Sequence, residues 1–171
     1  MEVDWSVNAT VSGNTVTDGG RLNIALYETS GSVVQGNVVS GANMGIFVVS
    51  TGSCTDFNFN AQNNSILENT VTGNETGITQ WAPDPALVSG TEVYCNDISN
   101  NTNWGIYNEV DAEIDAINNW WGDPSGPSGQ GNGSGDAVSA NIIFDPWLRG
   151  PWEVTPPCGT PPVGGLTTPT Y

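Results

Sequence analysis

The sequence predicts an all-β solenoid: a right-handed parallel β-helix of about five or six coils with an extended Pro/Thr-rich C-terminal tail. Three observations predict it. One short phrase recurs through the chain, anchored on Asn14, Asn37, Asn69, Asn96 and Asn119, at spacings of 23, 32, 27 and 23 residues. Each copy places apolar residues in the same three columns. Within each copy, apolar and polar residues alternate with the two-residue period of a strand, not the period of a helix.

The copies read "GNTVTDGG", "GNVVSGAN", "ENTVTGNE", "CNDISNNT" and "NNWWGDPS". Two residues after each anchor stands Val16, Val39, Val71, Ile98 or Trp121. A second column, further on, holds Ile24, Ile46, Ile78 and Ile106, the last three each preceded by Gly. A third, before the anchors, holds Val11, Val34, Ile66, Val93 and Ala116. Three inward columns per repeat imply three short strands per coil, with coils stacked about 4.8 Å apart. The anchor Asn then belongs at a bend, in left-handed geometry, bonding its amide to the Asn one coil away.

The two long spacings locate insertions, "VVSTGSCTDFNFNAQNN" and "WAPDPALVSG", both after the Gly-Ile column and so on one side of the solenoid. Loops stacked on one face are where solenoids bind partners. "EVDAEIDAI" alternates acid and apolar, which predicts a strand with Val110, Ala112, Ile114 and Ala116 inward and Glu109, Asp111, Glu113 and Asp115 outward.

Charge excludes several functions. Two Lys and Arg (Arg21 and Arg149) face eighteen Asp and Glu, for a net charge of −16. Such a surface repels phosphate backbones and anionic membranes, so no nucleic acid and no membrane insertion is expected. There is no His, no CxxC and no phosphate-binding G-K-[ST]. No cofactor is expected beyond calcium, for which Glu109, Asp111 and Glu113 are the candidate oxygen ligands. Asp111 and Glu113 also stand at a separation open to glycoside chemistry, although an acidic exterior strand is equally explained as a solvated face.

Three cysteines leave the pairing open. Cys54 and Cys158 are the favoured disulfide, since both fall in loop or tail, whereas Cys95 directly precedes an anchor. Sequons at Asn8, Asn63, Asn74, Asn100 and Asn132 are candidates for N-glycosylation, though a chain rich in Asn, Ser and Thr also produces them by chance. The first residues lack the basic and apolar regions of a leader, which fits a non-secreted protein, a mature chain or a fragment.

The repeated N-x-[VI]-[ST] and Gly-Ile pattern resembles the repeats of pectate-lyase-like parallel β-helix proteins. The closing segment "NNWWGDPSGPSGQGNGSGDAVSANIIFDPWL" looks like the terminal segment of archaeal and bacterial β-helix surface proteins. The resemblance covers Val7 to Leu148 and implies the fold and a non-enzymatic, cell-surface type. Related lyases rely on Arg or Lys, and related epimerases and hydrolases on His. This chain has no His and no Lys. The domain expectation is a β-helix over 1–148, with its Trp-rich terminal segment at 118–148, then a tail or linker over 149–171.

Trp120, Trp121, Trp147 and Trp152 are suited to plug the end of the apolar column, or to stack on sugar. Trp81 and Trp104 are the candidate ligand or partner contacts. The functional expectation is a non-catalytic extracellular or cell-surface protein, structural or adhesive. It is expected to assemble with copies of itself into a filament or surface layer through coil ends or tail. The alternative is a carbohydrate-binding or carbohydrate-active β-helix using the loop face.

Overall fold

The computed structural model describes residues 1–52, 60–152 and 158. Apart from one 3-10 turn at Pro85–Leu87, its regular structure is strand, and every pairing between strands is parallel. The chain is a parallel β-helix.

The long wall contains Thr15–Tyr27, Val38–Val49, Thr70–Thr72 with Thr76–Trp81, Asp97–Ser99 with Trp104–Asn108, and Gly135–Val138. Glu2–Asp4 and Pro127–Gly129 lie at its two edges. The short wall is a six-stranded sheet of Thr10–Ser12, Val33–Gln35, Ser65–Leu67, Glu92–Tyr94, Ile114–Asp115 and Ile142–Ile143. Ala61–Gln62 and Val88–Ser89 pair on the remaining side, where bridges join Val7, Ser30 and Gln62.

The registers stack the three sequence columns into the core. Val11, Val34, Ile66 and Val93 lie in one row, and Val16, Val39, Val71 and Ile98 in another. Ile24, Ile46, Ile78 and Ile106 form the third, which continues to Val138. All are buried except Val16, on the first rung, which is half-buried. Each buried Val or Ile stabilises the stack by roughly 1.5–3 kcal/mol relative to exposure.

Two local expectations need correction. The left-handed residue at the anchor corner is not the anchor but its predecessor: Gly13, Gly36, Glu68, Cys95 and Asn118, at φ 66°, 64°, 55°, 59° and 56°. The reason is the direction of the backbone. Bending one residue early leaves the anchor N–H pointing along the helix axis, where it meets the next Asn. Secondly, "EVDAEIDAI" is a strand only at Ile114–Asp115, because Val110, Asp111 and Ala112 form a bend. The alternation of burial persists through the bend, with Val110, Ile114 and Ala116 buried and the four acids exposed. Burial period alone therefore does not establish a ladder.

The terminal segment closes one end of the solenoid. Trp121 is wholly buried in the core, and Phe144 and Trp147 pack against it. Leu148 N–H donates to the Asn119 carbonyl at 3.0 Å and Asn118 N–H to the Pro146 carbonyl at 2.6 Å.

Candidate functional site

The five anchors form one hydrogen-bonded column. Side-chain Nδ2 of Asn14 donates to Asn37 Oδ1, Asn37 to Asn69, Asn69 to Asn96 and Asn96 to Asn119, each at 3.0 Å. Each Oδ1 also accepts the preceding anchor's backbone N–H at 2.9 Å. The Nδ2 groups also reach carbonyls in the neighbouring coil, such as Val34 from Asn69 at 2.9 Å, or just before the anchor in its own coil, such as Ser12 from Asn14 at 3.0 Å. Asn37, Asn69, Asn96 and Asn119 are at most 1% exposed, so every one of these bonds satisfies a group that water does not reach.

A second column escaped the sequence reading. Asn74 Nδ2 donates to Asn101 Oδ1 at 3.0 Å, and Asn101 Nδ2 donates to Asp136 Oδ2 at 2.8 Å. Ala42 N–H donates to Asn74 Oδ1 at 3.2 Å. The Gly of the Gly-Ile motif makes room for it. A Cβ on Gly77 would stand 2.6 Å from the Gly105 carbonyl and 3.0 Å from Asn101 Nδ2. The signal was present as an Asn five residues after Asn69 and Asn96, but only two coils carry it. Burial raises the Asp136 carboxyl above its ordinary range, while the Asn101 amide donors pull the other way.

Several candidates stand elsewhere than expected. Trp81 is the last residue of Thr76–Trp81, not a loop residue, and packs half-buried on an outer cluster with Ala25, Phe47 and Val49. Trp104 opens Trp104–Asn108 and stacks on Tyr107, ring centroids 5.3 Å apart and planes at 28°. Both project from the outer face of the long wall. The described ends of the two insertions share one side: Ala61–Gln62 pairs with Val88–Ser89, and a Cβ on Gly52 would stand 3.0 Å from Leu87.

The disulfide joins Cys95 to Cys158, with Cα atoms 5.5 Å apart, which overturns the Cys54–Cys158 pairing. Cys54 itself lies outside the described residues. The physical reason is the left-handed bend at Cys95, beside which the tail is fastened: Trp152 N–H donates to Asp97 Oδ1 at 2.8 Å. The start of the tail thus lies against its own coil. Asn74 is 1% exposed and committed to its ladder, so glycosylation there is excluded. Asn8, Asn63, Asn100 and Asn132 are exposed. Glu109, Asp111 and Glu113 do not converge as calcium ligands; among the described residues no group of three or more His, Cys, Asp or Glu is arranged to hold a metal ion.

A family model described as "Periplasmic copper-binding protein (NosD)" matches residues 1–133. The chain belongs to the NosD family. This membership agrees with the β-helix superfamily and does not reach the narrower cell-surface type. No curated protein and no solved structure gives a match. The NosD description is periplasmic, which places the chain outside the cytoplasm and agrees with the expected extracellular or surface location. No helix among the described residues is long and apolar enough to cross a membrane.

The residues present do not fit the copper of the NosD description. Copper sites use imidazole or soft sulfur donors. This chain has no His, and Cys95 and Cys158 are consumed by their disulfide, which leaves the thioethers of Met1 and Met44 as the soft donors among the described residues, too few by themselves for a copper site.

Proposed function

We propose that the chain is a non-catalytic extracellular module, structural or adhesive, which attaches through its first coil. The observation that carries this reading is the contrast between the two ends. The last coil is covered by its own terminal segment. The first coil carries three of the exposed large hydrophobic residues: Met1, Trp5 and Val7, at 53%, 56% and 60% exposure. Exposed apolar groups along one terminal coil favour a contact surface. The buried asparagines of the two columns, by contrast, are committed to their ladders.

Copies of the chain are the partner we propose. Head-to-tail stacking would extend the Asn column from Asn119, yet its Nδ2 already donates to the carbonyls of Val93, Ala116 and Ile117. Pairing of two first coils about a twofold axis is the alternative, and closes on itself instead of propagating as a filament. A charge of −16 per chain opposes it, so salt or Ca²⁺ should promote it by screening. Sedimentation of the full chain from low to high salt tests the proposal. A dimer that strengthens with salt and is lost in Val7→Lys supports it. A monomer throughout, at high salt with Ca²⁺, overturns self-assembly.

A further inference from the structure

The outer wall of the first coil holds a cleft that neither the ladders nor the terminal segment uses. Its volume is about 210 Å³, and Glu2, Asp4, Trp5, Tyr27, Glu28 and Thr51 line it. Glu2 and Asp4 flank Val3, which packs on the core, so both side chains face outward from backbone positions roughly 7 Å apart along the strand. Asp4 lies in register with Tyr27, whose ring meets Phe47 edge-on at 6.3 Å and 89°.

Trp5 completes the cleft, and it is held in place although exposed. Its backbone N–H donates to the Tyr27 carbonyl at 3.0 Å and its indole N–H to Glu28 Oε2 at 2.9 Å. Its φ is 43°, a left-handed conformation that a bulky residue adopts only when its surroundings impose it. Glu28 is 1% exposed, and its other oxygen accepts the Thr51 N–H at 3.0 Å and the Thr51 hydroxyl at 2.6 Å. A buried carboxylate thereby orients an exposed indole. With its N–H occupied, that indole presents ring surface.

We infer that this cleft binds an organic cation: the guanidinium or ammonium of a basic side chain, or a small quaternary amine. Ring faces attract cations through their quadrupole. Glu2 and Asp4 supply opposite charge, no basic side chain lines the cleft, and the field of a −16 chain concentrates cations around it. The volume suits one side-chain head; drug-sized ligands need roughly 300 Å³ or more. A hard divalent ion prefers several converging oxygens, and the described residues hold no such group. A neutral sugar could use the ring but would gain nothing from the charge. The inference goes beyond the attachment proposal; Trp5 is common to both, so cation binding is read at low salt, where the chain's charge keeps copies apart.

The test is an NMR titration of the intact ¹⁵N-labelled chain, following the Trp5 indole N–H and the Thr51 amide. The probes are N-acetyl-arginine amide, tetramethylammonium chloride, neutral N-acetyl-citrulline amide and cellobiose. Saturable shifts with the first two and none with the neutral pair are expected, weakening as salt rises. Response to the arginine amide alone assigns the site to a basic protein segment; response to tetramethylammonium alone assigns it to small amines. Trp5→Ala should weaken binding about tenfold, read at Thr51. Glu2→Gln with Asp4→Asn should weaken it severalfold and flatten the salt dependence. Trp5→Phe keeps a ring if the alanine variant fails to fold, and should retain measurable binding. Glu113→Gln, an exposed acid away from the cleft, should leave it unchanged. Equal weakening by Glu113→Gln, unaltered binding in Trp5→Ala, or saturation by cellobiose without the cations would overturn the inference.

Discussion

The two asparagine columns use the same hydrogen bonds in different places. The first runs through five coils and ends on backbone carbonyls around Asn119. The second has two Asn and ends on the carboxylate of Asp136. The cause is the backbone of the long wall. Every coil turns at the first column. At the second, Thr15–Tyr27 and Val38–Val49 continue as single strands, whereas the next two coils break between Thr72 and Thr76 and between Ser99 and Trp104. An amide column is needed where successive ladders are interrupted, because backbone groups there lose their partners; in the first two coils a single Asn23, accepting the Gly19 N–H at 2.9 Å, serves the register shift between Thr17 and Gly20. Repetition of a residue therefore measures repetition of a turn.

Four substitutions sharpen this comparison. Asn69→Ala should have the largest effect, about 4 kcal/mol, since it leaves the buried Asn37 N–H without its acceptor and takes a partner from Asn37 Nδ2, the Val34 carbonyl and Asn96 Oδ1 together. Equilibrium urea unfolding measures it, and a loss under about 1 kcal/mol would mean that water replaces the column. Gly77→Ala should follow at about 3 kcal/mol, because its methyl would press on a backbone carbonyl that cannot swing aside. Serine there should be no better, which distinguishes crowding from lost polarity.

Asn101→Ala should cost less than Asn69→Ala, about 2 kcal/mol. Asn101 is 8% exposed, so solvent is closer, and Asp136 can take up a proton when its donors go. Equal losses for the two would erase the distinction between the columns. Asp136→Asn should have the smallest effect, under about 1 kcal/mol near neutral pH, since an amide oxygen can accept the same two Asn101 bonds. Its signature lies in pH dependence. The folded-state pKa of Asp136 is raised above the ordinary aspartate value of 3.8, chiefly by burial. The folded protein then binds the proton more readily, so this group's contribution is fully present below 3.8 and is lost as pH rises through the raised pKa. Thermal melts from pH 3 to 7 should show the variant gaining on the parent as pH rises; a parallel pair of curves would remove Asp136 from the account.

The sequence by itself determined the repeat, its three apolar columns and the first Asn column. Those features follow from local turns copied coil after coil, and copying leaves a period in the chain. It also determined that copper chemistry has little to work with here, because an absent histidine cannot be supplied by folding. Only the tertiary structure decided which residue carries each bend, which cysteine meets Cys158, and that Asp136 closes a column begun at Asn74. It alone brought Trp5 against Glu28 and Thr51, residues 23 and more positions apart. Such contacts run between coils, and their sequence separation depends on how much chain each coil spends in its insertions. No local pattern encodes that length, so the neighbours across a coil become known only once the strands are in register.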